Sequence, residues 1–109
     1  MNLVTGATGH IGNVLVRELL NRGESVRVLV LPDEDLTPIK GLNVEIHYGN
    51  ILDPQCLVNA VTGIDTVFHL AGIISISSSH VEIVHKVNVE GTRNMVDAAM
   101  KAGVRRFIY

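Results

Sequence analysis

The sequence has little of what several classes of protein require. It contains one cysteine, no tryptophan and only 4% aromatic residues among 109 residues. A lone cysteine cannot form an internal disulfide, so we expect a reducing, cytoplasmic location. No apolar run approaches the roughly 18–20 residues that a membrane-spanning helix needs. The N-terminus also lacks the basic start and the cleavage site of a signal peptide.

An excess of charge of one sign is also missing. Nine Lys and Arg residues stand against 11 Asp and Glu residues, which gives a net charge of −2. We therefore expect neither a basic surface for nucleic acid nor a polybasic patch for membranes. Hydrophobic residues make up 47% of the chain, enough for one core of useful size. Residues 1–109 are long enough for one domain at most.

The most informative feature present is a glycine-rich stretch, TGATGHIG, at residues 5–12. A short apolar run precedes it and an amphipathic run follows, which predicts the order strand, glycine turn, helix. This order suits a dinucleotide pyrophosphate, because Gly6 permits the tight turn and Gly9 lets backbone N–H groups approach the phosphates. Gly12 lets the helix pack closely on the sheet, and the phosphates then lie at its positive end. The motif alone leaves open an ordinary glycine-rich turn.

The rest of the chain alternates strand and helix patterns. Strands are predicted over residues 3–5, 25–31, 43–48, 65–70 and 105–109, and helices over residues 11–21, 54–61 and 80–102. Crossovers of this length imply an α/β fold, a doubly wound parallel sheet of the Rossmann type with strand order 3-2-1-4-5. The connection over residues 32–42 contains two prolines and a glycine, so a loop or a very short helix is expected there.

Several motifs in a fixed order give the chain a family resemblance. They are TGATGHIG at residues 5–12, GNILD at 49–53, FHLAG at 68–72, NVEGTRN at 88–94 and GVRRFIY at 103–109. With them the chain resembles the extended short-chain dehydrogenase/reductase family, which contains the NAD-dependent epimerases and dehydratases. Within that family it looks most like the dihydroflavonol-reductase-like ketoreductases. The resemblance implies NAD or NADP as cofactor, a small-molecule substrate for the full-length parent, and a homo-oligomer.

The resemblance also implies which residues bind the cofactor. The backbone of Thr8, His10 and Ile11 would face the pyrophosphate together with the three glycines of the loop. Asn50, before Ile51, stands where the family usually has Asp; its amide oxygen can still accept a hydrogen bond from the adenine amino group, without the charge. Small or apolar residues at the end of the fourth strand would lie against adenosine and ribose: Leu70, Ala71 and Gly72.

Other polar residues receive structural or supporting roles. Asn88 matches a family position on the long helix that supports the catalytic geometry, although a solvent-facing residue is the alternative. His69 is expected to be a packed strand residue rather than a catalyst. Arg93 and Asn94 are expected on the helix surface.

The sequence does not decide between NAD and NADP. Related ketoreductases typically have Arg where this chain has Leu31, and NAD-dependent relatives have Asp at or near Val30. Asp33, about 20 residues past the loop, is a candidate ligand for the ribose hydroxyls. A plain acidic loop is equally open.

The catalytic pair of the family is not found. In the family a Ser or Thr follows the fifth strand, and a Tyr-x-x-x-Lys helix supplies the acid/base tyrosine. No Tyr-x-x-x-Lys occurs in this sequence, and Tyr109 matches a strand residue. We therefore expect no catalytic and no metal-binding residue, and a chain that is the cofactor-binding half of an NAD(P)-dependent oxidoreductase or epimerase, truncated within the fifth strand. The alternative is a non-catalytic dinucleotide-binding or redox-sensing module.

Overall fold

The computed structural model describes residues 1–71 and 84–109. Its strands are β1 (Asn2–Thr5), β2 (Val26–Val30), β3 (Glu45–Tyr48), β4 (Thr66–His69) and β5 (Arg106–Ile108). Its α-helices are α1 (His10–Asn21), α2 (Pro54–Ala60) and α3 (Thr92–Ala102). A 3-10 turn covers Thr37–Ile39 and a π-helical segment covers Lys86–Gly91. In these residues no helix has the length and apolar character needed to cross a bilayer.

All five strands are parallel and lie in the order β3-β2-β1-β4-β5. The predicted doubly wound sheet and its strand order are therefore confirmed. β1 is central, with Val4 opposite Val28 on one side and Phe68 on the other. The chain moves outward from β1 to β3, then returns to β4 on the opposite side. This reversal opens a crevice at the carboxyl ends of β1 and β4, where ligands of such sheets bind.

The core lies on both faces of the sheet, because neighbouring strand residues point to opposite faces. Leu3 packs with Leu57 and Met95 on the face covered by α2 and α3. Val4 packs with Val16 on the face covered by α1. All four residues of β1 are buried, as expected for the central strand of a parallel sheet.

The predicted helix over residues 80–102 differs from the structure in its first half. Residues 80–83 lie outside the described residues, and Lys86–Gly91 forms a π-helical segment before α3 begins. Gly91 is buried there, and a Cβ atom at this position would overlap the side chain of Ile51. The absence of a side chain at Gly91 thus lets this helix pack closely against the loop that follows β3.

Arg27 joins the sheet to the end of a helix. Its guanidinium donates hydrogen bonds to the carbonyl oxygens of Ala60 and Thr62, both at 2.8 Å. The Glu45 carboxylate lies 3.3 Å from its Nε atom, and the Arg27 side chain is only 13% exposed. A helix end leaves carbonyl groups without intrahelical donors and carries a partial negative charge, so a buried cation stabilises it.

We predict that Arg27→Met lowers the free energy of unfolding by about 1–3 kcal/mol, because the partly buried carbonyl oxygen of Ala60 at the end of α2 loses its charged donor. Urea denaturation followed by circular dichroism measures the change. Arg22→Met is the matched control: Arg22 makes an exposed ion pair with Glu18, which contributes about 0–1 kcal/mol. Equal losses in the two variants would contradict the role of Arg27.

Candidate dinucleotide-binding site

A cavity of about 500 Å³ lies at the carboxyl edge of the sheet, where the strand order reverses. It runs between the loop after β1, the loops after β2 and β3, and the end of β4. The residues predicted from sequence that line it are Gly6, Thr8, Gly9, Asn50, Ile51, Leu70 and Ala71. The further lining residues, which the sequence reading did not assign to the cofactor site, are Thr5, Leu29, Leu31, Glu34, Gly49, Leu52 and Val87.

The three loop glycines are required for different reasons. Gly6 has φ +71°, and a Cβ atom there would lie 2.6 Å from the carbonyl carbon of Leu70. A Cβ atom at Gly12 would overlap the backbone of Gly6, with its carbonyl carbon at 2.8 Å. Gly9 has ordinary extended backbone, and the nearest atom to its Cβ would be 3.4 Å away. The fold therefore requires Gly6 and Gly12, whereas the small size of Gly9 keeps space free in the cavity.

The N-terminus of α1 offers backbone donors beside this space. Gly9 is its N-cap, no side chain caps it, and its first turn contains no acidic residue. The first N–H groups of a helix have no intrahelical acceptor, and the helix dipole favours an anion there. His10 and Ile11 are exposed and do not line the cavity, and the contact of their backbone N–H groups with a pyrophosphate stays a prediction. Gly72 lies outside the described residues.

The loop after β3 is fixed by its own polar groups. The Asn50 side-chain oxygen accepts a hydrogen bond from the Leu52 N–H at 2.9 Å, and Asp53 caps α2 by accepting from the Gln55 N–H at 3.1 Å. The Cys56 thiol lies 3.2 Å from the Asn50 carbonyl oxygen. Because an amide oxygen has two acceptor positions, Asn50 retains one for an adenine amino group. That contact stays a prediction.

Asn94 was expected on the helix surface, and that expectation is wrong. Its side chain is partly buried and donates a hydrogen bond to the Ile51 carbonyl oxygen at 2.9 Å. The close packing at Gly91 brings α3 near enough for this contact. Arg93 is exposed, as expected. Asn88 is half-buried in the π-helical segment, and its role in supporting catalysis stays a prediction.

His69 is confirmed as a packed strand residue, and its hydrogen bonds define its protonation. The Thr5 hydroxyl accepts from the N–H groups of Leu70 and Ala71 at 3.1 and 3.0 Å, so its own proton is directed to His69 Nδ1 at 2.8 Å. The Nε2 atom then carries the proton and donates to the Thr92 hydroxyl at 3.0 Å. Burial lowers the pKa of His69 below its ordinary value. The neutral imidazole thus links β1, β4 and α3.

The acidic loop after β2 divides its residues between the solvent and the cavity. Asp33, the candidate ribose ligand, is exposed and is absent from the cavity lining. Glu34 lines the cavity instead. The Glu34 carboxylate accepts hydrogen bonds from the Thr8 hydroxyl and from the Leu31 N–H. Sequence spacing alone could not separate these neighbouring acids.

The site can be assigned to a class from its geometry. A glycine turn that leads into an uncapped helix, beside a cavity at the point where the strand order reverses, defines a dinucleotide-binding domain of the Rossmann type. Residues 1–71 and 84–109 contain no cluster of three His, Cys, Asp or Glu side chains that could hold a metal ion. The chain belongs to the 3-beta hydroxysteroid dehydrogenase/isomerase family, whose model matches residues 3–109. The resemblance to short-chain dehydrogenases/reductases is therefore confirmed.

Known proteins similar to the chain agree with this assignment. Sterol demethylase protein B of Methylococcus capsulatus is 42% identical over 107 residues, which cover 98% of this chain and 33% of that protein. A 3-beta-hydroxysteroid dehydrogenase of Mycolicibacterium neoaurum is 39% identical over 98% of this chain and 30% of its own length. A short-chain dehydrogenase/reductase superfamily protein of Agrobacterium tumefaciens, crystallised with NAD, is 40% identical with a TM-score of 0.82 over 98% of this chain and 31% of that one. The chain thus spans about a third of the length of these relatives.

We predict that Gly9→Val removes dinucleotide binding while leaving the fold intact, since the branched side chain would fill cavity space beside the helix N-terminus. Gly12→Val is the matched control, and its side chain should prevent folding because it would overlap the Gly6 backbone. Isothermal titration with NAD⁺ and NADP⁺, together with thermal unfolding, measures both effects. Unchanged affinity in a folded Gly9→Val variant would exclude the loop as the phosphate site.

The pKa of His69 predicts how stability depends on pH. Because its folded pKa lies below the ordinary value of 6.5, the unfolded chain binds the proton first as the pH falls. The contribution of the neutral His69 side chain to the free energy of unfolding is therefore present above pH 6.5. It is lost as the pH falls from there through the folded pKa. Urea denaturation between about pH 8 and about pH 5.5 measures how the free energy of unfolding falls with pH. This fall should be smaller for His69→Gln than for the unmodified chain. The exposed His85→Gln variant should keep the full loss; equal curves for all three chains would refute this origin.

Proposed function

We propose that this chain is the dinucleotide-binding part of an NAD(P)-dependent oxidoreductase that acts on an alcohol or carbonyl group of a small molecule. The observation that carries the proposal is the uncapped N-terminus of α1 beside the cavity at the carboxyl edge of the sheet. Such a helix end binds phosphate through backbone N–H groups without any basic side chain. The names of the two curated relatives favour a sterol or steroid as the substrate class.

Each side of the cavity has a part in this proposal. The pyrophosphate lies against the glycine loop and the first N–H groups of α1. Adenosine lies between Asn50 and Ile51 on one side and Leu70 and Ala71 on the other, where the lining is mostly apolar. The cofactor supplies the hydride donor or acceptor, while this chain binds and orients it.

Two alternatives remain open under this proposal. A sugar-nucleotide epimerase binds the same cofactor, and a redox-sensing module holds it without turnover. The absence of a Tyr-x-x-x-Lys motif from these 109 residues favours binding without turnover for the chain by itself. A catalytic acid/base is typically worth about 10²–10⁴-fold in rate, which positioning of the cofactor does not replace.

We predict that the chain binds NAD⁺ or NADP⁺ yet does not oxidise or reduce any alcohol or carbonyl compound. Isothermal titration should give saturable heat, and absorbance at about 340 nm should stay constant with cofactor and candidate steroid substrates. The folded Gly9→Val variant is the control for the binding signal. Absence of binding by either dinucleotide would refute the proposed function, and turnover in contaminant-free protein would refute the predicted inactivity.

We further propose a cytoplasmic location and self-association. The single cysteine supports a reducing compartment. Large apolar side chains are exposed on both outer strands or directly after them: Ile46 (40%), Tyr48 (53%), Ile108 (45%) and Tyr109 (78%). A second copy of the chain that pairs with one of these edges would cover them. Sedimentation of the chain at tens of micromolar distinguishes oligomers from a monomer.

A further inference from the structure

The hydrogen bonds of the Thr5 hydroxyl use all of its bonding capacity, and one of them requires a neutral His69. A hydroxyl group has one proton and two acceptor positions. The acceptor positions take the N–H groups of Leu70 and Ala71 at 3.1 and 3.0 Å, and the proton is donated to His69 Nδ1 at 2.8 Å. Both side chains are buried, so each depends on its protein partners.

A protonated His69 is incompatible with this arrangement, because both ring nitrogens of an imidazolium are donors. Its Nδ1 would present an N–H group to a hydroxyl whose proton points at it and whose acceptor positions are taken. To accept from Nδ1, Thr5 must turn its proton elsewhere and release one of the two N–H groups at the end of β4. The Nε2 contact with Thr92 is not affected, since Nε2 donates in both forms.

The end of β4 is both a wall of the cavity and a contact of the glycine turn. Leu70 and Ala71 line the cavity. A Cβ atom at Gly6 would lie only 2.6 Å from the carbonyl carbon of Leu70, which shows how closely the two segments approach. A change in the hydrogen bonds of these two residues therefore acts on the proposed adenosine wall and on the turn that leads into α1.

The surroundings of the imidazole leave its charge uncompensated when it is protonated. Thr5 faces it from β1 and Thr92 from α3. The rings of Phe107 on β5 and of Tyr109 after β5 have centroids 5.9 Å from that of His69. Among these four contact residues only Tyr109 has a titratable side chain, and a protonated phenol is neutral. Burial lowers the pKa of His69, in agreement with this uncharged environment.

We propose that His69 is a positioning residue for the dinucleotide: its neutral form holds Thr5 and the end of β4 in the arrangement that binds, and its protonation weakens binding. The inference rests on the proposed function, because it requires a dinucleotide in the cavity. It makes cofactor affinity depend on pH through a side chain that is absent from the described cavity lining.

Linkage between proton and dinucleotide fixes the sign of the effect. Because the dinucleotide binds the form with neutral His69, the dissociation constant is lowest above pH 6.5 and rises as the pH falls through the folded pKa. One proton limits this rise to about tenfold per pH unit. A protonated His10 at the start of α1 would have the opposite effect, since a cation beside the pyrophosphate tightens binding in acid.

Isothermal titration with NAD⁺ and NADP⁺ between about pH 8 and about pH 5.5 tests the inference. The dissociation constant of the unmodified chain should rise by at least about twofold over this range. Titration in two buffers of different ionisation enthalpy counts the protons released on binding, and this release should grow below pH 6.5. The titration of the dinucleotide itself is common to all chains and cancels when they are compared.

Two substitutions of His69 separate positioning from simple packing. His69→Asn offers an amide oxygen to the Thr5 hydroxyl but does not titrate, whereas His69→Leu offers no acceptor. His69→Asn should bind more tightly than His69→Leu at about pH 8 and should lose the pH dependence and the proton release. His85→Asn, which removes an exposed histidine, is the matched control and should keep both. Circular dichroism and thermal unfolding at each pH establish that every chain is folded.

The outcomes separate this inference from the proposed function. An equal pH dependence in the unmodified chain and in His69→Asn would overturn the role of His69 and leave the proposed function standing. Tighter binding of the unmodified chain in acid, or equal affinities of the two His69 variants, would overturn it in the same way. If a variant does not fold, a lack of proton release by the unmodified chain below pH 6.5 overturns it. Failure of the unmodified chain to bind either dinucleotide at about pH 8 would refute the proposed function itself.

Discussion

The close approach of three backbone segments at the start of α1 is the constraint on which the rest of the site depends. Gly6 lies directly against the backbone of Leu70, and Gly12 lies directly against Gly6, so that no side chain fits at either glycine. This crowding brings the first turn of α1 to the carboxyl ends of β1 and β4. The positive end of the helix therefore faces the crevice that the reversal of strand order opens. The described cavity lining contains no lysine or arginine, so the donors that this end of the helix offers are backbone N–H groups.

Buried hydrogen bonds hold the other walls of the cavity in relation to this turn. The Thr5 hydroxyl accepts hydrogen bonds from two backbone N–H groups at the end of β4 and donates one to His69. The His69 ring in turn makes a hydrogen bond with Thr92 on α3. Asn94, on the same helix, donates a hydrogen bond to the Ile51 carbonyl oxygen in the loop after β3. A buried polar group that loses its partner costs about 1–3 kcal/mol, so these contacts favour one arrangement of β1, β4, α3 and the loop. The same helix thus supports both the strand end and the loop between which we propose that adenosine lies.

The sequence predicted the sheet order and the glycine turn from β1 into α1 because both follow from local patterns: apolar strands, glycine spacing, and Asp53 and Pro54 at the start of α2. It did not predict the contact of Asn94, whose partner lies 43 residues away. On a helix of mixed polarity, an asparagine at the surface and one that contacts a distant carbonyl have the same local pattern. The π-helical segment before α3 was missed for the same reason, since the contact between Gly91 and Ile51 is tertiary. Periodicity shows which face of a helix is apolar, but it does not show which loop that face meets.

The acidic run after β2 illustrates how position divides functions among residues of one charge. Asp35 accepts hydrogen bonds from the Thr37 hydroxyl and N–H at 2.6 and 3.0 Å, and these bonds lower its pKa. Its carboxylate therefore serves the turn that leads into the 3-10 segment. Asp33 is exposed to solvent, and Glu34 alone of the three lines the cavity. The glycine loop is divided in the same way, since Gly6 and Gly12 serve the fold and Gly9 leaves room for a ligand.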